Sequence, residues 1–394
     1  MVAALVAARR GCGVTLFERH GQLGRKVLAS GGGRCNLGNT RVDSSRYHGG
    51  DPEFVRQVLS RFGAQETLRL FEGLGLLVEE EADGRLFPRC GQARTVVEVL
   101  EAGLTAAGVE LMLTCDVNEV RDAGRGFALV TRHGAVQFDR VVLSCGGASY
   151  PQLGGGARGY RLASGFGLDV TEPRPSLVPL VTRDAWVHRL QGNRLQVALS
   201  AEVEGRRLAA SRGELLFTSY GISGPATLEI SREVCRALES YDVVEGAIDL
   251  FPEHSAEGLR EFLLARLDAL QSVTVHEFLR GTMTDRIVAE FLAAHGVEFP
   301  ARVRPTRETV ALLARALGRW KFAICGHKPW DEAMVTAGGV RLSEVSPETM
   351  ESTRRPWLYL TGELLDVDGD SGGFNLHFAW ASGFLAGTAC SAPS

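Results

Sequence analysis

The apolar positions of the chain fall into short runs of two different periods. Residues 3–10 are alanine-rich with helical spacing and stop at Gly11-Cys12-Gly13. Val14 to Phe17 then reads as a short buried strand with Glu18 at its C-terminal end. Helical patterns follow over 52–61 and 64–73, and again over 94–107, where Val96, Val97, Leu100 and Leu104 share one side. Leu111 to Leu113 and Ala128 to Val130 are strand-like. Val141 to Cys145 is a continuous apolar run ending in Gly146-Gly147, as a parallel-sheet strand entering a ligand crevice would.

The texture changes near Pro173 and Pro175. From Leu177 to Ile248 the pattern is mainly strand and turn, with period-2 alternation over 195–203. A helix-rich block follows over 256–317, and strand-like segments return at 322–324 and around 334–340. The end of the chain, Leu358 to Glu363 and then an alanine-rich helix over 378–390, repeats the texture of the beginning. The reading is therefore α/β, with one domain made from 1–175 and 341–394, a β-rich insertion over 176–250 and 319–340, and a helical domain over 251–318.

A length of 394 residues agrees with two or three domains. The 43 basic and 47 acidic side chains leave a net charge of −4, without the basic excess of a general nucleic-acid or membrane-surface binder. No apolar run approaches the ~20 residues of a membrane span, and the opening arginines follow an apolar run, the reverse of a secretory signal. A cytoplasmic protein is expected. The eight cysteines show neither C-x-x-C spacing nor zinc-ligand spacing, so no metal site or disulfide framework is predicted. Glycine is the more telling residue: the 47 glycines cluster at 31–33, 146–147, 154–156, 338–339 and 372–373, where backbone must turn tightly or approach something closely.

An acid that ends a strand after a glycine-closed helix is the second half of a dinucleotide-binding βαβ unit, and Glu18 fits it as well as it fits a solvated strand end. The strand and glycine turn that should open such a unit are not in the sequence. The literal G-x-G-x-x-G at Gly154 to Gly159 does not follow its strand directly and reads as a loop. Ser30-Gly31-Gly32-Gly33-Arg34-Cys35-Asn36, flanked by Arg25 and Lys26, offers backbone N–H groups and positive charge to a pyrophosphate or an anionic ring edge. Cys35 admits a redox or a packing role. The acids at 366, 368 and 370 resemble a calcium loop but lack its closing glutamate; a carboxylate for a polyol hydroxyl ahead of a helix N-terminus is the alternative. No Ser-His-Asp order, P-loop or pair of glycosidase acids is present, and the histidines are scattered.

Together these segments resemble one family. Gly24-Arg25-Lys26 through Gly31-Gly32-Gly33-Arg34-Cys35-Asn36-Leu37, Gly84 to Pro88, Gly146 to Pro151, Leu177 to Leu180, Gly213 to Thr218, Gly221 to Pro225, Ala337 to Val340, Gly362 to Asp366 and Gly372 to Asn375 occur in the order of the HI0933-like bacterial flavoproteins. That family takes in the bile-acid reductase BaiN and proteins labelled aminoacetone oxidase. The resemblance spans the chain and implies a Rossmann-like FAD-binding domain with inserted β-rich and helical domains. It places Glu18 at the adenosine ribose, Arg25 and Lys26 beside the adenine and phosphates, and Ser30, Gly31, Gly32, Gly33, Arg34, Cys35 and Asn36 along the pyrophosphate and flavin. Val117 would offer its backbone to the adenine as the residue after a strand, and Gly146 and Gly147 would border the cofactor. Gly362, Glu363 and Asp366 would meet the ribityl–phosphate part, and Gly373, Phe374 and Asn375 the flavin ring.

The implied activity is hydride transfer through flavin N5 between NAD(P)H or a small organic donor and an acceptor. The alternatives are an oxidase of a small aminoketone-type substrate using O₂, or a flavin-binding partner protein with little turnover. A small-molecule substrate is expected, with no nucleic-acid or membrane partner. No catalytic acid is assigned; Ser149 and Tyr150 stand either near substrate or in a structural turn before Pro151. The sequence departs from the pattern at its opening, which is expected to weaken FAD binding, at Arg158, where relatives carry an acid, and at Phe374, which replaces a tyrosine.

Overall fold

The computed structural model describes residues 1–270, 273–295 and 303–392. They form two compact units, the described residues of 1–175 with 330–392 and those of 176–329. Residues 330–340, expected with the β-rich insertion, group with the first unit, and the barrel and helices of the middle share the second.

In the first unit the helix Val2–Arg9 leads through Gly11, at φ +92, into the strand Thr15–Phe17. That strand pairs in parallel with Glu110–Met112, Thr15 opposite Glu110 and Phe17 opposite Met112. A second parallel pair joins Val141–Leu143 to Leu358–Leu360. The helix Ala93–Ala106 buries Val96, Val97, Leu100 and Leu104, the side its spacing predicts. The last helix, Phe374–Ala389, is apolar nearly all round, as a helix enclosed by its own domain must be. It crosses Val2–Arg9 at two glycines. A Cβ on Gly387 would stand 2.5 Å from the carbonyl oxygen of Ala3, so only glycine permits the approach. Val117–Asp122, Phe127–Thr131 and Gly134–Phe138 make a separate antiparallel sheet.

The second unit is a closed barrel of six strands: Leu180–Thr182, Gly221–Ser223, Arg206–Phe217, Arg194–Val203, Val244–Asp249 and Trp320–His327, which returns to the first. The alternation read over 195–203 places Val197, Leu199 and Ala201 in its core. Trp186 stacks on Trp320 with ring centroids 3.8 Å apart. Two helices depart from the strand-and-turn pattern expected there: the short Ala185–Arg189, and Pro225–Ala237, which starts with proline after Gly224 at φ +90 and buries Ile230, Val234 and Cys235 at helical spacing. The helix-rich block contains Ala256–Ala269, Val275–Leu279, Asp285–His295 and Arg307–Leu317; its residues 271–272 and 296–302 lie outside the described residues.

Candidate functional site

The first unit lines a cavity of about 1390 Å³. Its walls carry Glu18, Arg25, Lys26, Val117, Gly146 and Gly147 of the residues singled out above, so one space gathers positions more than a hundred residues apart. Glu18 follows Phe17 directly; its backbone N–H donates to Met112 O (3.0 Å) and its carboxylate accepts the N–H of His20 (2.9 Å). Arg25 Nη1 donates to His20 Nδ1 at 2.8 Å, and the other ring nitrogen of His20 is buried without a partner. Val117 opens a strand rather than closing one. Beside it, Asp116 forms ion pairs with Arg158 and, at 4.0 Å, with Arg19.

Lys26 and Glu363 meet, although 337 residues separate them. The Lys26 ammonium bridges Glu363 and Ser149 Oγ (2.6 Å), and Glu363 also accepts the Ser149 hydroxyl (2.9 Å) and the Thr336 backbone N–H (2.7 Å). The N–H groups of Ala148 and Ser149 both donate to Thr336 Oγ1, at 2.9 and 3.0 Å. This network fixes Gly147 so closely that a Cβ there would lie 2.4 Å from Thr336 Oγ1. Nothing in the sequence joins Thr336 to the motif residues; it lies two residues before the Gly338-Gly339 pair.

A second group forms around the triple glycine. Ser30–Gly33 is a single tight turn in which Gly31 and Gly32 take left-handed backbone at φ +56 and +65. Gly32, Gly33 and Gly146 all have positive φ, and a Cβ on any of them would meet nothing within 4 Å, so their backbone borders open space. Asn36 Oδ1 is buried without a hydrogen-bond partner and points at Gly373, where a Cβ would stand 2.5 Å away. Gly373, at φ +100, starts the final helix with no side-chain cap, so the first N–H groups of that helix remain available. Arg34 pairs with Glu81 and lies over the Phe87 ring at 4.2 Å. Cys35 is fully buried at φ +62, and burial pushes its thiol up to about 12, which keeps it protonated and suits packing.

Three residues are turned to local partners. Asp366 accepts Thr171 Oγ1 at 2.8 Å, Asn375 closes the loop before it by bonding both backbone groups of Gly369 at 2.8 Å, and Phe374 is buried edge-on against Tyr47. Gly362 sits at φ +65 against the final helix. The acids read as a possible calcium loop bind elsewhere: Asp370 holds Arg46 and His48, and among the described residues no group of three or more potential ligands could hold a metal. The G-x-G-x-x-G at 154–159 runs into the helix Arg158–Ser164, with a 3₁₀ turn at Pro151–Leu153 between it and the preceding strand. Tyr150 stands at φ +51 immediately before that turn.

The donor set suits an adenine dinucleotide. It offers an acid at a strand end for a ribose, cations and open glycine backbone for phosphates, and an uncapped helix start for an anionic ring. Fold and site together define a Rossmann-type flavoprotein. The family model for the HI0933-like protein Rossmann domain matches residues 1–389, and the chain belongs to that family of FAD-binding oxidoreductases. A curated relative named 3-dehydro-bile acid delta(4,6)-reductase, from Clostridium scindens, is 37% identical over 99% of this chain and 96% of its own length. A ribosomal RNA dihydrouridine synthase from Haemophilus influenzae is 32% identical over 98% and 94%. Among solved structures, 3-ketosteroid delta1-dehydrogenase from Sterolibacterium denitrificans shares the fold, with a TM-score of 0.52 at 12% identity over 99% of this chain and 97% of that one. The 3-ketosteroid-delta4-(5alpha)-dehydrogenase from Rhodococcus jostii RHA1 gives 0.51 at 15%, over 100% and 94%. Among the described residues no helix is long and apolar enough to cross a membrane.

Proposed function

We propose that the protein is an FAD-dependent reductase that saturates a carbon–carbon double bond conjugated to a carbonyl, with NAD(P)H as diffusible electron source and a small molecule as substrate. The observation that carries the cofactor reading is the convergence of Glu18, Arg25, Lys26 and the open backbone of Gly146 on one cavity. Glu18 takes a ribose hydroxyl, Arg25 and Lys26 neutralise phosphate, and Val117 and Gly147 border the same chain of groups. Ser30 to Asn36 and the backbone N–H groups at the start of the final helix, Phe374 and Asn375, form the second contact region, with Gly362 and Glu363 between the two in role. The bound flavin supplies hydride transfer at N5; the protein supplies position and electrostatics. The uncapped start of the final helix favours negative charge on the ring by about 0.3–1 kcal/mol. Glu363 holds the Lys26 ammonium in place, so that charge is fixed before the cofactor arrives.

The two curated relatives support the reaction class. Their names denote a steroid-type delta(4,6) reduction and the conversion of uridine to dihydrouridine. Both are saturations of a double bond conjugated to a carbonyl, on very different substrates. The higher identity to the small-molecule reductase and the net charge of −4 favour a small enone; the second relative makes a uracil ring in RNA the other reading. One anaerobic experiment separates the readings. The FAD-loaded protein is reduced with NADH or NADPH, then offered a 3-oxo-delta4 steroid, a uridine-containing ribosomal RNA fragment, or air. Reoxidation by the steroid supports the proposal and reoxidation by RNA alone supports the second reading. Reoxidation by air alone, with peroxide formed, overturns both in favour of an oxidase.

A further inference from the structure

A second cavity of the first unit, of about 810 Å³, has the size of a small-molecule pocket and is lined by none of the residues given to the cofactor above. One wall is the strand Val117–Asp122, outermost in its sheet, of which residues 118–122 all line the space. The helix Arg158–Ser164 makes another. Arg158, Arg161, Leu162 and Gly165 stand at i, i+3, i+4 and i+7, so they share the helix face turned to the cavity. Arg354 and Arg355 complete the lining. Val120, Arg158 and Leu162 also line the larger cavity, so the two adjoin.

Five arginines line this space against two acids, Glu119 and Asp122, and they are not equivalent. Arg355 is spent on structure: its fork takes Asp122 at 2.9 and 3.0 Å and the carbonyls of Gly124 and Gly126, and it lies over the Phe127 ring. Three others are fastened on one side only. Arg121 donates through Nη2 to Glu119 (2.7 Å), Arg354 through Nε and Nη2 to Glu344 (2.8 and 3.0 Å), and Arg158 pairs with Asp116. A guanidinium carries five N–H donors, so each of these forks is held in place with donors to spare. Arg161 is exposed, and its side chain has no hydrogen bond or ion pair among the described residues. Single arginines on a surface are ordinary. Here four converge on one concave space, three already positioned and the fourth uncompensated, and that arrangement suits an anion with several oxygens because little side-chain freedom is lost on binding. Val120, Leu162 and Phe166 give the same space an apolar part.

We propose that this cavity binds a nucleotide that carries two or more phosphates, with the phosphates on Arg121, Arg158, Arg161 and Arg354 and the base or sugar against Val120, Leu162 and Phe166. Such a group comes either from the 2′-phosphorylated adenosine end of NADPH or from a free nucleoside diphosphate; the recognising chemistry is the same. The site is additional to the one given to FAD. Its test reads binding and no turnover, so it stands or falls separately from the reaction assigned above.

The FAD-loaded protein is titrated by calorimetry with ADP and with 2′,5′-ADP at low salt, while the flavin spectrum reports whether FAD stays bound and whether each variant is folded. The expected result is one-to-one binding with FAD retained. Arg161→Ala, which breaks no contact within the protein, weakens that binding about tenfold or more, the worth of a charge-assisted bond to phosphate. Arg161→Glu abolishes it. Arg10→Ala, the same change of charge at an exposed position outside the cavity, leaves it unchanged. Tighter binding of 2′,5′-ADP than of ADP assigns the site to NADPH, and the reverse order assigns it to a free nucleotide. Absence of saturable binding by both, release of FAD in step with binding, or binding that survives Arg161→Glu overturns the proposal.

Discussion

Gly373 shows how tightly one residue can hold a site together. Its φ of +100 and the 2.4 Å between its would-be Cβ and Gly38 O exclude any other side chain. Gly373→Ala is expected to cost about 2–4 kcal/mol, measured by denaturant unfolding, because the left-handed backbone and the clash act together. At Lys26 the effect is on the ligand. Lys26→Met removes the cation that Glu363 and Ser149 position, and FAD affinity is expected to fall about tenfold, the equivalent of about 1.4 kcal/mol, read by flavin fluorescence titration. His377 gives the protein an acid limit. It is buried between Thr67 Oγ1 and Phe62 O, each at 3.3 Å, and burial lowers its pKa from 6.5 to about 4. The folded state stays neutral while the unfolded state gains a proton, so stability is full above about pH 6.5 and declines as pH falls toward 4. The loss is on the order of 3 kcal/mol. Unfolding measured against pH shows this slope, and His377→Gln, though less stable at neutral pH, flattens it.

At the scale of elements, the crossing of Val2–Arg9 with the final helix depends on Gly383 and Gly387. Gly387→Val, which would drive side-chain atoms into Ala3 and Val6, is expected to destabilise by about 2–3 kcal/mol or to unfold the unit, seen as a lower melting temperature. Elements whose periods are regular were legible in the sequence: the 94–107 pattern and the observed Ala93–Ala106 bury the same four apolar residues. The Pro225–Ala237 helix was hidden because its small polar residues Thr227 and Ser231 are fully buried and break the apolar stripe, although Gly224-Pro225 is a helix-start signal. The final helix begins at Phe374, four residues before its alanine-rich stretch, since Gly373 permits the turn. Motif residues around the cavity were legible as glycines, an acid and cations. Their partners were not. Thr336, Asp116 and His20 take part through contacts that close only after folding, and local pattern carries no trace of them.

For the whole molecule, the two units have separate hydrophobic cores, one around Val96, Leu143 and Phe378, the other around Val197, Trp320 and Phe291. Calorimetry is therefore expected to resolve more than one cooperative transition, with a calorimetric enthalpy above the van't Hoff value. FAD binds residues of the first unit in the proposed scheme, so saturating cofactor raises that transition, by about 2.7 kcal/mol of stability at a hundredfold excess over Kd, and leaves the barrel's transition in place.

The discontinuity of the first unit also sets an order of events during synthesis. The barrel unit is complete once residue 329 has left the ribosome, but the side of the opening helix that carries Val2 and Val6 waits for Phe374–Ala389 before it can be covered. At about 5–20 residues per second the interval between finishing residue 175 and finishing that helix is roughly 10–40 s. For that time Val2 and Val6, which pack against the final helix, are sticky nascent chain, and the protein is expected to lean on holding chaperones as it is made.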